Sequence, residues 1–301
     1  MQLDSLVSNL KILVANNLPL VLPEQIAFII GATPSQGARS PRLWNAAFQA
    51  EGWGGEMVPL DVAEDKVVTV LKHLEADPRV IGVAIAAPYK SLAAELYRKD
   101  LTHAAARCAS INLLYRSQSN RFVGSNTDGL AAIESLREVE PEVGRKQILL
   151  MGCGATGRAV AAVLGEQLGA ERLVIAHRNP AHTEWISRLG ATPWEFSKLS
   201  ERLGSVDVLI NCTTIGWGDN SDQAPLSEAE IGLLPISSLV FDVIYQPDPS
   251  QLLRLARNKG LKTLSGTRMN LLQASMAFCA SNPKANHLTV QAAMQSAIES
   301  V

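Results

Sequence analysis

Two residues carry side chains suited to moving a proton, and each stands just past a short apolar run. Lys90 follows residues 80–85 through Ala86-Ala87-Pro88-Tyr89, and Asp128 follows residues 122–124 within Asn126-Thr127-Asp128-Gly129. A lysine and a carboxylate can together hold and exchange the proton of a substrate hydroxyl while hydride leaves the carbon. Taken singly, each is an ordinary surface charge. A position just past a strand is the lip at which open α/β sheets bind ligands. A third feature is Ile148-Leu149-Leu150-Met151-Gly152-Cys153-Gly154-Ala155-Thr156-Gly157, an apolar run entering a G-x-G-x-x-G spacing. Helical sequence then runs over 158–168. Strand, glycine turn and helix in that order form a dinucleotide-binding unit. Gly152 suits the tight turn, Gly154 the approach of a pyrophosphate, and Gly157 the packing of helix on strand. Phosphates would sit on the helix N-terminus, where free N–H groups and the helix dipole favour anions.

Units of this kind that select NAD end their second strand on an acid, which binds the ribose 2′-hydroxyl. Here the strand over 173–176 ends in His177-Arg178-Asn179, with no Asp or Glu and with an arginine in place. A guanidinium is a planar, charged fork suited to phosphate, so the cofactor expected is NADP in preference to NAD.

These residues need a frame of strands and helices. Leu3, Leu6, Val7, Leu10, Leu13 and Val14 recur at helical spacing and predict an amphipathic helix ending at Asn16-Asn17. Strands are expected over 26–30, 57–60 and 80–85, with helices over 41–50 and 67–74 and another after Lys90. Ser40 suits an N-cap, and Pro41 a first helical position. Residues 110–115 and 122–124 read as a hairpin. A helix follows Asn126-Thr127-Asp128-Gly129 to about residue 136. Strands over 148–151, 173–176, 206–210 and 239–243 then alternate with helices over 158–168, 180–189 and 249–259. Apolar helices over 269–280 and 288–298 close the chain. The alternation predicts an α/β fold with largely parallel sheets.

The 301 residues suffice for two domains, and a net charge of −2 gives no footprint for nucleic acid or a polybasic membrane patch. No apolar run reaches membrane-spanning length, and the start does not read as a signal peptide. Cys108, Cys153, Cys212 and Cys279 are scattered without C-x-x-C pairing, which argues against a metal site or disulfides. These features together predict a cytoplasmic location.

The chain resembles the shikimate/quinate dehydrogenase family over nearly its whole length after about residue 25. Arg39-Ser40-Pro41 with Asn45 is similar to that family's Ser-x-Ser-Pro…His-Asn segment, and residues 82–90 to its Asn-Val-Thr-x-Pro-x-Lys segment. Ala109-Ser110-Ile111-Asn112 is similar to Gly-Ala-Val-Asn, and Asn126-Thr127-Asp128-Gly129 matches outright. The glycine loop, Asn211-Cys212-Thr213-Thr214-Ile215-Gly216, Phe241-Asp242-Val243-Ile244-Tyr245-Gln246-Pro247 and Gly266-Thr267-Arg268-Met269-Asn270-Leu271-Leu272-Gln273 follow in family order. The resemblance implies an N-terminal α/β substrate-binding and catalytic domain over 1–125, completed by C-terminal helices over 268–301. It implies a Rossmann-type NADP-binding domain over 126–267, with a cleft between the two. It puts the catalytic pair on Lys90 and Asp128, and substrate contacts on Ser40, Asn112, Tyr245 and Gln273. Cofactor contacts fall on Gly152, Cys153, Gly154, Ala155, Thr156 and Gly157, on His177, Arg178 and Asn179, and on Thr213, Val243 and Gly266. The implied reaction is reversible, NADP-linked oxidation of a ring secondary alcohol, of the kind that belongs to aromatic amino-acid biosynthesis.

The departures cluster on the substrate side. Ala38 stands for the family's first serine, Ala84 and Ala86 for its Asn and Thr, Leu113 for a Thr and Trp44 for a His. On the cofactor side His182 takes the place of a second basic residue. Three readings follow: interconversion of shikimate and 3-dehydroshikimate, or of a closely related cyclic hydroxy acid; the same pair acting on another, less polar or quinate-like ring alcohol; and an NADP-binding regulatory protein without catalysis. The expected assembly is a monomer or homodimer taking a small molecule. The N-terminal helix lies outside the family's usual start.

Overall fold

Residues 26–31 are all buried, and their alternation explains why so apolar a run is needed. In this computed structural model, which describes residues 4–300, strand β1 (Ile26–Gly31) sends Ile26, Phe28 and Ile30 into one core and Ala27 and Ile29 into another. Successive side chains on a strand face opposite ways, so a central strand must be apolar throughout. The other strands of its sheet are β2 (Glu56–Asp61), β3 (Val80–Ile85), β4 (Leu113–Arg116) and β5 (Phe122–Ser125), in the order β2-β1-β3-β4-β5. The first three are parallel, and β4 and β5 form an antiparallel hairpin. Between them lie α1 (Ser5–Leu10), α2 (Ser40–Ala50), α3 (Val67–Ala76), α4 (Lys90–Leu96) and α5 (His103–Cys108).

Helix α1 is shorter than the expected one. It stops at Leu10; Val14 instead bridges antiparallel to Val62, and Asn16 bonds the β2 backbone at Pro59 and Asp61. Leu13 and Val14 still pack on the same core as Leu6, Val7 and Leu10. Leu3 lies outside the described residues. Ser40 is not a cap but the first residue of α2; Arg39 takes the cap position, without a side-chain cap bond.

A second sheet is built from β6 (Ile148–Met151), β7 (Leu173–His177), β8 (Thr192–Glu195), β9 (Val208–Asn211), β10 (Leu239–Asp242) and β11 (Lys262–Ser265). All its pairings are parallel, in the order β11-β10-β9-β6-β7-β8. This is the doubly wound dinucleotide-binding order, with its switch point between β6 and β9. Its helices are α6 (Asp128–Val139), α7 (Ala155–Leu164), α8 (Thr183–Arg188), α9 (Ser200–Leu203), α10 (Glu228–Ile231) and α11 (Gln251–Asn258). Helix α7 begins three residues before the expected 158 and gives way at Leu164 to a wider turn over Gly165–Gly169.

The chain divides into one unit of residues up to Thr127 together with those from Leu271 onward, and another of Asp128–Asn270. It crosses between them after Thr127 and again within α12 (Gly266–Ser281). Helix α13 (His287–Glu299) then packs on α2. Leu271, Phe278, Val290 and Met294 from these last helices share a core with Trp44 and Phe48. Phe278 meets Trp44 and Phe48 edge-on, with ring centroids 5.2 and 4.9 Å away.

Candidate active site

In the second unit the glycine loop has the geometry of an anion cradle. Gly152 sits at φ +99°, which L side chains rarely adopt, and its N–H donates to the Ala176 carbonyl at 2.9 Å. A Cβ on Gly157 would lie 2.1 Å from the Gly152 carbonyl oxygen, so only glycine lets α7 start this close to the loop. Gly154 is the N-cap of α7; no side chain caps it, and a Cβ there would meet nothing within 4 Å. The first turn of α7, with Ala155 and Thr156 half-buried, thus offers backbone donors facing open space. These residues fit a dinucleotide pyrophosphate. Cys153 is buried beside them, and burial pushes its thiol up to about 11 against the opposing field of Arg158, so it remains protonated at neutral pH.

At the end of β7, His177 is buried, and its Nδ1 donates to the Asn179 carbonyl at 2.9 Å. Arg178 and Asn179 are exposed, and the Asn179 carboxamide caps the next turn by accepting from Ala181 N–H at 3.0 Å. The loop therefore turns on His177 and Asn179, while the Arg178 side chain stays in solvent.

Thr213, Val243 and Gly266 follow β9, β10 and β11, and a buried polar network holds all three. Asn211 Oδ1 accepts from Thr213 N–H at 3.0 Å and from its hydroxyl at 2.7 Å. Asn211 Nδ2 donates to Asp242 Oδ1 at 3.0 Å, and Val243 N–H donates to the Asn211 carbonyl at 3.1 Å. Asp242, wholly buried, also accepts from Ile244 N–H at 3.1 Å and from the Ser250 hydroxyl at 2.6 Å. Burial raises its carboxyl to about 6, outweighing those three donors. Gly266 N–H donates to the Ile244 carbonyl, and a Cβ on Gly266 would lie 2.1 Å from the Val243 carbonyl. Sequence reading named Thr213, Val243 and Gly266 but gave no role to Asn211, Asp242 or Ser250; a buried acid ending a strand is the signal that finds them.

Asp128 is the first residue of α6 and only 4% exposed. A Cβ on Gly129 would lie 2.3 Å from the Ala159 carbonyl, so α6 lies directly on α7. Asp128 is near enough to Cys212 that its charge, after burial and Asp242, helps push that thiol far above its ordinary value. Tyr245 is half-buried, three residues past Asp242.

In the first unit, Lys90 is the first residue of α4, half-buried, with its carbonyl accepting from Ile111 N–H at 3.0 Å. The preceding Tyr89 hydroxyl donates to the Val62 carbonyl at 2.6 Å and fixes the turn. Asn112, 5% exposed, donates through Nδ2 to Thr127 Oγ1 at 2.9 Å and to Gln273 Oε1 at 3.3 Å, while its Oδ1 accepts from Thr127 N–H. The Thr127 hydroxyl in turn donates to the Gln273 carbonyl at 3.0 Å. Asn112 and Gln273 therefore meet, and Thr127 joins them. Ser40 lies half-buried in the first turn of α2. Asn45 is spent structurally: its Oδ1 accepts from Met57 N–H at 2.7 Å. Ala38, Ala84 and Ala86 are half-buried and pack on the cluster of Trp44, Phe48 and Phe278.

Two family profiles match in order along the chain. The one described as the shikimate dehydrogenase substrate binding domain matches residues 29–114, and the one described as shikimate / quinate 5-dehydrogenase matches residues 134–216. The shikimate dehydrogenase (NADP(+)) of Rhodospirillum rubrum is 33% identical over 264 residues, covering 84% of this chain and 90% of that one. That of Symbiobacterium thermophilum is 29% identical over 266 residues, 85% and 88% respectively. A crystal structure of shikimate 5-dehydrogenase from Thermus thermophilus, in complex with NADP(H) and shikimate, superposes with a TM-score of 0.76 at 24% identity. It covers 91% of this chain and 99% of that one, a likeness of fold.

Proposed function

The chain belongs to the shikimate/quinate dehydrogenase family, and from that premise we propose that it interconverts shikimate and 3-dehydroshikimate, or a closely related cyclic hydroxy acid, with NADP. The observation that carries this reading is Asp128: a surface charge would be solvated, whereas this carboxylate is buried at the head of α6, against α7 and within electrostatic reach of Cys212. Burying a carboxylate carries a cost, and a functional role for Asp128 gives a reason to bear it.

In this reading Lys90 and Asp128 hydrogen-bond the reacting oxygen, and one of them holds its proton as the carbon changes oxidation state. Ser40, Asn112, Gln273 and Tyr245 bind and orient the ring and its substituents. The Gly152–Gly157 backbone holds the pyrophosphate, His177, Arg178 and Asn179 the adenosine ribose and its phosphate, and Thr213, Val243 and Gly266 the nicotinamide end. When bound, NADP supplies the hydride acceptor and donor. The working division is a substrate domain over 1–125 with 268–301, and a cofactor domain over 126–267. We further infer a cytoplasmic monomer or homodimer with no nucleic-acid partner, consistent with the net charge of −2. No described helix is long and apolar enough to cross a membrane.

A second reading has its own support. Ala38, Ala84 and Ala86 pack against an aromatic cluster, so three positions that would carry polar contacts to shikimate offer none. Each substrate group left without a partner costs about 1–3 kcal/mol, roughly ten- to hundredfold in affinity. That favours a ring alcohol with fewer polar substituents.

Reduced-cofactor production with shikimate, quinate and less polar ring alcohols, each with NADP+ and NAD+, tests both. Turnover of shikimate with NADP+ that vanishes in Lys90→Ala, while NADP+ binding persists, is the expected result. Turnover only of a less polar alcohol selects the second reading. Silence in every well despite NADP+ binding supports a regulatory protein, and undiminished turnover in Lys90→Ala removes the catalytic assignment.

A further inference from the structure

Asp61 is a buried carboxylate to which the proposed reaction gives no part. It closes β2 and is 6% exposed. Both of its oxygens hold one residue: Oδ1 accepts from Ser35 N–H at 2.8 Å, and Oδ2 accepts from the Ser35 hydroxyl at 2.5 Å. Ser35 lies in the turn Pro34–Gln36, inside the loop that runs from the end of β1 to Ser40. Asp61 is itself pinned on both edges of its strand. Toward β1 it pairs with Gly31, whose carbonyl accepts from Val62 N–H at 2.9 Å. On the outer edge Asn16 Oδ1 accepts from Asp61 N–H at 2.7 Å, and the Asp61 carbonyl accepts from Ala15 N–H at 2.9 Å. The next residue, Val62, accepts through its carbonyl from the Tyr89 hydroxyl that fixes the turn into Lys90. The two turns also meet at Gly31, where a Cβ would lie 3.0 Å from the Ala86 Cβ and 3.4 Å from the Pro34 ring. The loop to Ser40 and the turn to Lys90 therefore hang from two adjacent residues at the end of one strand.

We propose that Asp61 is a positioning residue for the ring alcohol: through Ser35 it sets the path of residues 34–39, and so the placement of Ser40 at the head of α2. The proposal rests on reading Ser40 as a substrate contact. Within the loop, Gln36 and Ala38 donate back to the Thr33 and Pro34 carbonyls, bonds that shape the turn without tying it to the sheet. Gly37, at φ +139°, then redirects the chain toward α2. The bonds to Asp61 join this local turn to the end of β2. A hydrogen bond to an ionised acceptor is stronger than one between neutral groups, and a strand end held on both edges gives it a fixed base. A shift of this loop displaces Ser40 and leaves the glycine loop, which belongs to the other unit, as it is. The effect therefore falls on the alcohol and not on the cofactor.

Ser35→Thr and Ser35→Val test this, because the two introduced side chains share a shape and differ in the hydroxyl. Kinetics use the full-length protein with NADP+ and the ring alcohol that the wild type oxidises. Ser35→Val should raise KM for the alcohol about tenfold, with kcat and the KM for NADP+ little changed, and Ser35→Thr should keep the wild-type value. Asp61→Asn should raise the same KM in the wild-type background and much less in the Ser35→Val background, since the two changes break one interaction. Hydrogen–deuterium exchange of the ligand-free protein needs no substrate. The segment over 33–40 should exchange faster in Ser35→Val than in Ser35→Thr, with residues 148–164 alike in both. Equal exchange over 33–40 in the two variants, or equal KM values for the alcohol, would overturn the proposal. Failure of the shikimate assignment shows instead as wild-type turnover of another alcohol or of none, and leaves the difference in exchange standing.

Discussion

Asp242→Asn turns the buried network behind the cofactor loops into a measurement. The wild-type carboxyl is raised from the ordinary 3.8 to about 6, chiefly by burial, despite three hydrogen bonds donated to it. In the unfolded chain it ionises near 3.8. Between those values the folded state holds a proton that the unfolded state has released, so stability falls as pH rises through the window. The full cost of the buried charge stands above pH 6 and is absent below 3.8. The gap corresponds to roughly 3 kcal/mol. Asparagine keeps the oxygen that accepts from Ile244 N–H and Asn211 Nδ2, and the Ser250 hydroxyl can rotate to accept from the new amide. The variant never ionises. Urea unfolding followed by far-UV circular dichroism, at half-unit steps from pH 4 to 7, gives the difference in unfolding free energy between variant and wild type. Other titrating groups cancel in that difference. It should climb by roughly 3 kcal/mol toward pH 7 in favour of Asp242→Asn. A difference that is flat or falls with pH refutes the reasoning that the carboxylate is ionised and penalised inside the fold.

Three further outcomes follow from the geometry. Gly157→Ala puts a methyl 2.1 Å from the Gly152 carbonyl; the shift this forces should cost about 1–3 kcal/mol in thermal unfolding and weaken NADP+ binding more than about tenfold. Asp4 is held at about 2, first by the Arg79 guanidinium at 2.7 Å. Its depressed value supplies stability that is present above pH 3.8 and drains away as pH falls toward 2. Asp4→Asn should therefore lower stability at pH 7 by about 2 kcal/mol and make no difference at pH 2 in the same unfolding assay. Ala84→Asn with Ala86→Thr should raise kcat/KM for shikimate by about tenfold per restored contact; an unchanged or lower value argues that the pocket has been reshaped for another alcohol.

What the sequence showed depended on whether a residue's role leaves a periodic trace. Central strands such as β1 and β6 are buried on both faces and read as unbroken apolar runs. The edge strands β8 and β11 hold no buried residue, and β8 contains Pro193, so neither carries a pattern to read. The helix expected through residue 14 shows the opposite failure. Leu13 and Val14 kept the apolar spacing, but a bridge to Val62 gives them burial without helix. Glycines announced themselves because their spacing encodes backbone conformation and contact. Thr127 and Asn211 did not, because neutral polar residues acquire meaning only from partners far away in the chain. Asn112 finds Thr127 across 15 positions and Gln273 across 161. The burial of Asp242 likewise becomes visible only when Asn211 and Ser250 close around it.

The bond from the Thr127 hydroxyl to the Gln273 carbonyl has a consequence for how the molecule can be taken apart. These residues flank the two places where the chain leaves and re-enters the first unit, and they touch at 3.0 Å. Topologically, residues 128–270 are an insertion, and a hydrogen bond joins the first-unit residues Thr127 and Gln273 that flank it. A residue of extended chain spans at most about 3.5 Å, so the flanking residues Thr127 and Gln273, in contact already, leave a gap that a short bridge spans. The chain is modular at that seam: on the proposed reading a cofactor cassette is set into a pocket-bearing frame, and the Thr127–Gln273 bond marks where one could be exchanged for another.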